Sequence, residues 1–463
     1  MEEQRTKDNK MGTMPVNKLL LNMAWPMMVS MLVQAMYNIV DSMFVARVEH
    51  GKEALTAVSL VFPIQTLMIA FGAGTGVGIN ALLSRSLGEK RYDEANKTAV
   101  NGVFLMFLTF LGFLIFGLAG ARAFVEGQAK NLNGAVDSAV VARYGIEYLQ
   151  IVTIFSLGLF MQMVFERLQQ ATGNTFNTMI SQGIGAITNI ILDPIFIFGW
   201  FGVPKMEVAG AAIATVIGQF LAMFVAIYLN ATKNKEISVK LKGFRPQAKT
   251  IKGIYVVGIP SIIMQAVMSF TTYCMNNILG GFDSAVAAYG VYFKLNSFIF
   301  MPVFGMNNGM VPIIAFNYGA RHKGRIRDTI KLAMTISISI MFVGMLIFQI
   351  FPKQLLVSFF NADKELLAVG VPALRVISAS FMVAGACIIL ISTLQALGEG
   401  VKSMIISLAR QVGVLIPAAY ILCKVWGLPA GWLAFPLAEC TALIVSIILF
   451  RHVWKTKIRG LEA

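Results

Sequence analysis

Long apolar runs separated by short polar segments dominate the chain. They fall near residues 19–45, 54–81, 98–120, 144–168, 178–202, 208–230, 253–280, 286–313, 328–351, 368–396, 403–424 and 427–450. Each is long enough to cross a hydrocarbon core of about 30 Å as an α-helix. The pattern therefore predicts an all-α polytopic membrane protein with twelve spans. Short strands of alternating polarity are absent, which excludes an outer-membrane barrel.

The second half of the pattern repeats the first. ALTAVSLVFPIQTLMIAFGAG from Ala54 is echoed by AVAAYGVYFKLNSFIFMPVFG from Ala285, an offset of 231. Gly88 in SLGEKR and Gly319 in NYGARH keep that offset. LQQATGN from Leu168 matches TLQALGE from Thr393 at an offset of 225. Two membrane-spanning units in the same order and direction suit a transporter, with a pathway between two lobes that rock. The expected division is a cytoplasmic segment 1–18, an N-lobe 19–230, a basic linker 231–252, a C-lobe 253–450 and a cytoplasmic tail 451–463.

Composition supports the membrane assignment. Hydrophobic residues make up 57% and charged residues 13% of the 463 positions, against about 25% charged in an ordinary soluble domain. A net charge of +15 invites a nucleic-acid reading, but the Lys and Arg gather in alternate inter-span segments. That is the positive-inside bias, and it places both termini in the cytoplasm. The richest segment carries Lys233, Lys235, Lys240, Lys242, Arg245, Lys249 and Lys252; it joins the repeats and suits a loop beside anionic lipid. No nucleic-acid partner is expected. The lipid bilayer and small amphipathic molecules are, with the chain as a monomer. No cleavable signal peptide is expected, because the first apolar run is long enough to remain as a helix.

Catalytic chemistry has little to work with. His50, His322 and His452 are far apart, and HExxH, GxSxG and Walker A patterns are absent. No enzyme activity or cofactor is expected, so transport would draw on an ion gradient. Cys274, Cys387, Cys423 and Cys440 all fall in spans and read as small apolar side chains. The GAGTGVG stretch from Gly72 follows an apolar helix rather than a strand, so it reads as close helix packing.

Charged side chains inside spans carry more information, because burying them in lipid is costly. Asp41 lies about 33 Å along the first span and Asp193 about 22 Å along the fifth, counted from their cytoplasmic ends. Both fall in the outer half of one lobe. Tyr37 precedes Asp41 by one helical turn, and Asn189 precedes Asp193 by one turn. Pro194 is expected to free a carbonyl and bend its helix. These oxygens suit Na⁺, while burial and mutual repulsion suit a carboxylate that carries a proton. Asp41 and Asp193 also suit a cationic substrate. Lys294 reads as a gate cation or substrate contact, or as a side chain snorkelling to water. Glu166 and Arg167 read as interfacial, and Arg375 as snorkelling. Arg410 and Glu439 sit at depths that agree poorly for a pair.

These features resemble the multidrug and toxic compound extrusion (MATE) family of cation-coupled efflux antiporters. The resemblance covers nearly the whole chain. It rests on WPMMVSMLVQAMYNIVDSMFV in the first helix, GEKR after the second, LQQATGN ending the fourth, NIILDP in the fifth and PVFGMNNGMVPIIAFNYGA around the eighth. It implies two six-helix lobes in a V. It also implies H⁺- or Na⁺-driven export of amphipathic, cationic compounds from a bacterial or archaeal plasma membrane. The DinF-like branch of the family, with its MepA-like members, places the cation site in the N-lobe. Its helix 1 Tyr and Asp match Tyr37 and Asp41, its helix 5 Asn and Asp match Asn189 and Asp193, and its helix 6 Thr matches Thr215. The resemblance thus implies a possible Na⁺ site at Asp41, Asn189, Asp193 and Thr215. The NorM-like branch uses acids in helices 7 and 10, and this sequence has none there. The alternative is a lipid or lipid-linked oligosaccharide flippase of the same superfamily, against which the few intramembrane Lys and Arg weigh.

Overall fold

The computed structural model describes residues 9–130, 137–240, 243–282, 284–360 and 362–461. Apolar periodicity is expressed there as helices without strands among the described residues. After a one-turn helix α1 (Lys10–Thr13) come α2 (Val16–Val45), α3 (Gly51–Gly88), α4 (Tyr92–Ala119) and a short surface helix α5 (Ala121–Ala129). The first lobe continues with α6 (Ser138–Ile154), α7 (Leu157–Ala171), α8 (Thr175–Phe198) and α9 (Glu207–Lys233). The second lobe contains α10 (Ala248–Leu279), α11 (Ala285–Gly319), α12 (Lys323–Ile350), α13 (Pro352–Phe360), α14 (Lys364–Ser378) and α15 (Phe381–Ala396). It ends with α16 (Gly400–Leu408), a π-helical turn (Ala409–Leu415), α17 (Ile416–Trp426), α18 (Leu428–Gly431) and α19 (Ala434–Val453).

Ten helical segments are individually long and apolar enough to span a bilayer. Two bent pairs, α6–α7 (46°) and α14–α15 (50°), make twelve. The bends fall at matching places in the two repeats and share a cause. Ser156 N and Oγ both donate to Thr153 O, and Ser380 N and Oγ both donate to Ile377 O. The helix tightens to three-residue bonds there, and a hydroxyl takes over a carbonyl. The expected bend at Pro194 is not a break: α8 runs through it from Thr175 to Phe198.

The lobes meet where α3 packs on α10 and α2 packs on α11. Glycines make this contact backbone-close. A Cβ on Gly88 would stand 1.9 Å from Phe316 O, and one on Gly319 would stand 2.2 Å from Arg85 O. One on Gly78 would meet Ile254 O at 2.1 Å, and one on Gly309 would meet Met23 O at 2.8 Å. One on Gly74 would meet Gly258 O at 3.1 Å, and one on Gly305 would meet Met27 O at 2.7 Å. In every case both members of one contact are 231 residues from their counterparts in the other. The interface is therefore self-complementary about a pseudo-two-fold axis. Two of the glycines of the GAGTGVG stretch, Gly74 and Gly78, serve this packing.

All six contacts lie toward the end of the bundle that carries the termini. There, α1 also bridges the lobes. Met11 O accepts from Asn317 Nδ2 (3.0 Å) and Arg325 Nη2 (2.9 Å), and Met14 O accepts from Arg325 Nη2 (2.7 Å), all from the second lobe. The Lys10 stem lies against Gly173 of the first lobe. At the same end Lys402 and Lys457 grip Glu399 at 3.0 and 2.7 Å. Burial opposes the charge of Glu399, but the two lysines outweigh it and hold the carboxyl below its ordinary range. The linker runs along α4, where Asn96 and Asn101 accept from Ser238 N and Gln247 N; its Lys242 lies outside the described residues. Toward the other end Met36, Met43, Phe270 and Tyr273 are at least half exposed, and the two lobes spread into a V.

Candidate functional site

The first-lobe site is assembled by α2, α3, α6, α8 and α9. Helical spacing sets Tyr37 and Asp41 one above the other on α2, and Asn189 and Asp193 likewise on α8. The close packing of α8 on α9 brings Thr215 to Asn189; Gly185 and Gly218 permit it, since a Cβ on either would crowd the other helix's backbone at about 3 Å. Asp193 is fully buried, Asn189 is 3% exposed and Thr215 8%.

An amide's oxygen and nitrogen are assigned from their partners. With its nitrogen toward Asp193, Asn189 donates to Asp193 Oδ2 (3.1 Å) and accepts from Thr215 Oγ1 (3.1 Å). Tyr37 lies close to Thr215 as well. Asp41 lies within electrostatic reach of Asp193, and both act on Tyr37. The structure therefore brings together the five residues Tyr37, Asp41, Asn189, Asp193 and Thr215. Asp41 Oδ1 and Asp193 Oδ1 are both buried without a hydrogen-bond partner. Among the described residues no Lys or Arg is among the charges acting on either carboxylate. The two open carboxylate oxygens, with the Tyr37 hydroxyl nearby and the Asn189 amide holding Asp193 Oδ2, fit a hard monovalent cation or a shared proton.

Two further members of this cluster escaped sequence reasoning. Tyr148 of α6 lies within reach of Asp41, Tyr37 and Asp193, and its Oη accepts from Gln65 Nε2 of α3 at 2.9 Å. The available signal was a lone Gln in the apolar run VFPIQTLM.

Lys294 is not brought to this site. It is exposed on α11, with its Nζ 5.9 Å from the Phe360 ring centre. Arg375 is likewise exposed. Glu166 departs from its expected interfacial setting. It is 5% exposed and accepts from Gln162 (2.8 Å), Gln182 (2.7 Å) and Ser181 (3.3 Å). The bend in the fourth span and the packing of α7 on α8 and α9 carry it inside. Arg167 donates across the lobes to Asn308 Oδ1 at 3.1 Å.

Arg410 and Glu439 do pair, at 3.3 Å. Counting residues along an ideal helix missed this because Arg410 lies in the π-helical turn, which re-aims its side chains.

Twelve spans in two pseudo-symmetric lobes, spread at one end and closed at the other, with a polar cluster inside a lobe, define a polytopic membrane transporter. The MatE family model matches residues 26–195 and 260–421, and the chain belongs to that family. It is 28% identical to a multidrug export protein MepA of Staphylococcus haemolyticus over 93% of this chain and 92% of that one. It is 28% identical to a MepA of Staphylococcus aureus over 94% and 93%. A solved MATE family transporter of the MOP superfamily, described as outward-facing, superposes with a TM-score of 0.88 at 24% identity, covering 96% of this chain and 98% of that one. A MATE in a bent conformation superposes at 0.86 and 25%, covering 96% and 97%.

Proposed function

We propose that this protein is a cation-coupled antiporter that exports amphipathic, cationic organic compounds, with H⁺ or Na⁺ entering in exchange. The reading rests on one observation above all: two carboxylates, each with a buried, unpartnered oxygen, lie within electrostatic reach of each other, and no basic side chain among the described residues acts on either. Such a pair is at rest only when an external cation joins it. The MepA relatives, named as multidrug export proteins, support organic compounds as cargo.

The end bearing the termini and the basic linker faces the cytoplasm, in keeping with the Lys and Arg bias. The V then opens outward. A cation arriving from outside binds Asp41 and Asp193 and draws α2 toward α8. This lowers the first lobe's affinity for the drug, which leaves. The lobes rock, the glycine seal opens, the cation is released inside, and new drug enters. Exchange follows if cation and drug stabilise different arrangements of the same site. A single chain contains all of these parts, and it acts as a monomer in the plasma membrane of a prokaryote.

The test is efflux of a fluorescent lipophilic cation from proteoliposomes under a pH gradient alone, then under a Na⁺ gradient alone. One gradient drives efflux in the native protein. Asp41→Asn and Asp193→Asn each lower driven efflux by about tenfold or more while membrane abundance stays level. Full driven efflux in both variants, or efflux indifferent to either gradient, overturns the proposal.

A further inference from the structure

The second lobe holds a polar cluster on the same three spans of its repeat as the first-lobe site. The first span of the repeat supplies Thr271, whose Oγ1 donates to Gln411 Oε1 at 2.8 Å. The fifth supplies Gln411 and Arg410 from the π-helical turn, and the sixth supplies Glu439. The repeat offsets place Thr272 opposite Asp41, and Glu439 opposite Ala214, next to Thr215. Arg410 falls opposite Gly185, about one turn below the level of Asn189.

The two clusters differ in charge. The first-lobe cluster has two carboxylates and, among the described residues, no basic partner. The second has one carboxylate, and Arg410 Nη1 donates to its Oε1 at 3.3 Å. Both side chains of that pair are 18% exposed. Glu439 Oε2 is buried with no hydrogen-bond partner, as are Asp41 Oδ1 and Asp193 Oδ1 in the other lobe. The other titratable groups acting with Glu439 are Tyr292 of α11 and Cys387 of α15, while Cys440, next to it on its own helix, is exposed. None of them brings a positive charge. A guanidinium bound through one nitrogen leaves half of the carboxylate open, so the site is neutralised but incompletely coordinated.

We propose that the Arg410–Glu439 cluster is a second small-cation site, in which the chain's own guanidinium plays the part that H⁺ or Na⁺ plays in the first lobe. The tethered cation keeps the second lobe neutral at every stage of transport. Ion binding and release then act on one lobe only, and that asymmetry tilts one bundle against the other. Removing the guanidinium re-creates an exchangeable site at Glu439, supplied from solution by the same class of monovalent cation.

The experiment uses the full chain carrying Asp41→Asn and Asp193→Asn, so the first-lobe site is silent and the outcome does not depend on its role. Apparent Tm is measured in nanodiscs for this parent, for added Arg410→Gln, for added Arg410→Lys, and for Arg410→Gln with Glu439→Gln. NaCl is compared with choline chloride at alkaline pH, and acidification to about pH 5 is tested in choline. Arg410→Gln gains a rise of roughly 3 °C with Na⁺, with acid, or with both; the two arms identify which cation enters. Arg410→Lys, and the variant with both glutamines, behave as the parent. A response in Arg410→Gln no larger than the parent's, or one retained after Glu439→Gln, overturns the proposal. Should Arg410→Gln fold only in Na⁺ or acid while the variant with both glutamines folds in choline at alkaline pH, the site is supported. Failure of both under every condition marks the cluster as a structural pin and rejects the site.

Discussion

Asn189 does two jobs at once, and the chemistry of its amide sets the order of effects expected from its neighbourhood. Its nitrogen holds Asp193 Oδ2 and its oxygen holds Thr215, each at 3.1 Å. Removing the amide leaves a buried carboxylate with both oxygens open, whereas removing the threonine hydroxyl deprives only a neutral group. Asn189→Leu is therefore expected to shift the affinity for the proposed coupling cation by more than Thr215→Val, and toward tighter binding, since the cation must then satisfy both oxygens; Thr215→Val changes it by about 1 kcal/mol or less, roughly fivefold. The measurement is the cation concentration giving half-maximal drug exchange in proteoliposomes; equal midpoints in the two variants would contradict the arrangement. The principal acids of this site were legible in the sequence because a carboxylate in an apolar helix stands out at any position. Gln65 and Tyr148 were not. Their role depends on a bond between α3 and α6, 83 residues apart, which no local pattern encodes.

At the level of elements, the apolar runs mark each of the spans, with ends that differ from those of the helices by up to seven residues, because hydrophobic length is imposed by the bilayer while the helices run on beyond it. They do not show where a span bends. A proline at 194 drew attention, yet α8 absorbs it, and the two real bends contain no proline. Ser156 Oγ donates to Thr153 O at 2.7 Å and Ser380 Oγ to Ile377 O at 2.8 Å. Serine in an apolar helix is common and usually bonds back without a bend, so the signal was too weak to read. With the hydroxyl removed, each carbonyl keeps only the longer bond from the serine's own N–H, at 3.3 Å for Ser156 and 3.2 Å for Ser380, and in the low-dielectric interior no water adds to it. Ser156→Ala is thus expected to cost about 1 kcal/mol and lower apparent Tm by a few degrees, with Ser156→Thr close to native. Ser380→Ala should match it, since the same device recurs in the other repeat. Thermal denaturation followed by intrinsic fluorescence checks this, and a stability unchanged by both alanines would mean that the bends are held by packing alone.

Across the whole molecule, the closed end is a single contact written twice. The sequence repeat was legible as an offset of 231, but the offset alone does not say that the two copies face each other. That emerges only when Gly88 meets Phe316 and Gly319 meets Arg85, each pair being the other's repeat equivalent. Because the contact is reciprocal, a methyl group added on either side should do the same thing: wedge α3 and α11 apart and favour the arrangement open at this end. Gly88→Ala and Gly319→Ala are expected to lengthen the distance between spin labels introduced at Lys90 and His322 by similar amounts, and both should lower drug export. Gly112 offers the control, since a Cβ there meets nothing within 4 Å; Gly112→Ala should leave both the distance and export unchanged. If only one of the seal variants opens the end, the two halves of the interface are not equivalent. The pseudo-two-fold axis would then describe the ancestry of the fold and not its working motion. If both open it equally, the lobes part as rigid partners about that axis, and the seal measures how strongly the closed end resists the proposed ion-driven tilt of the first lobe.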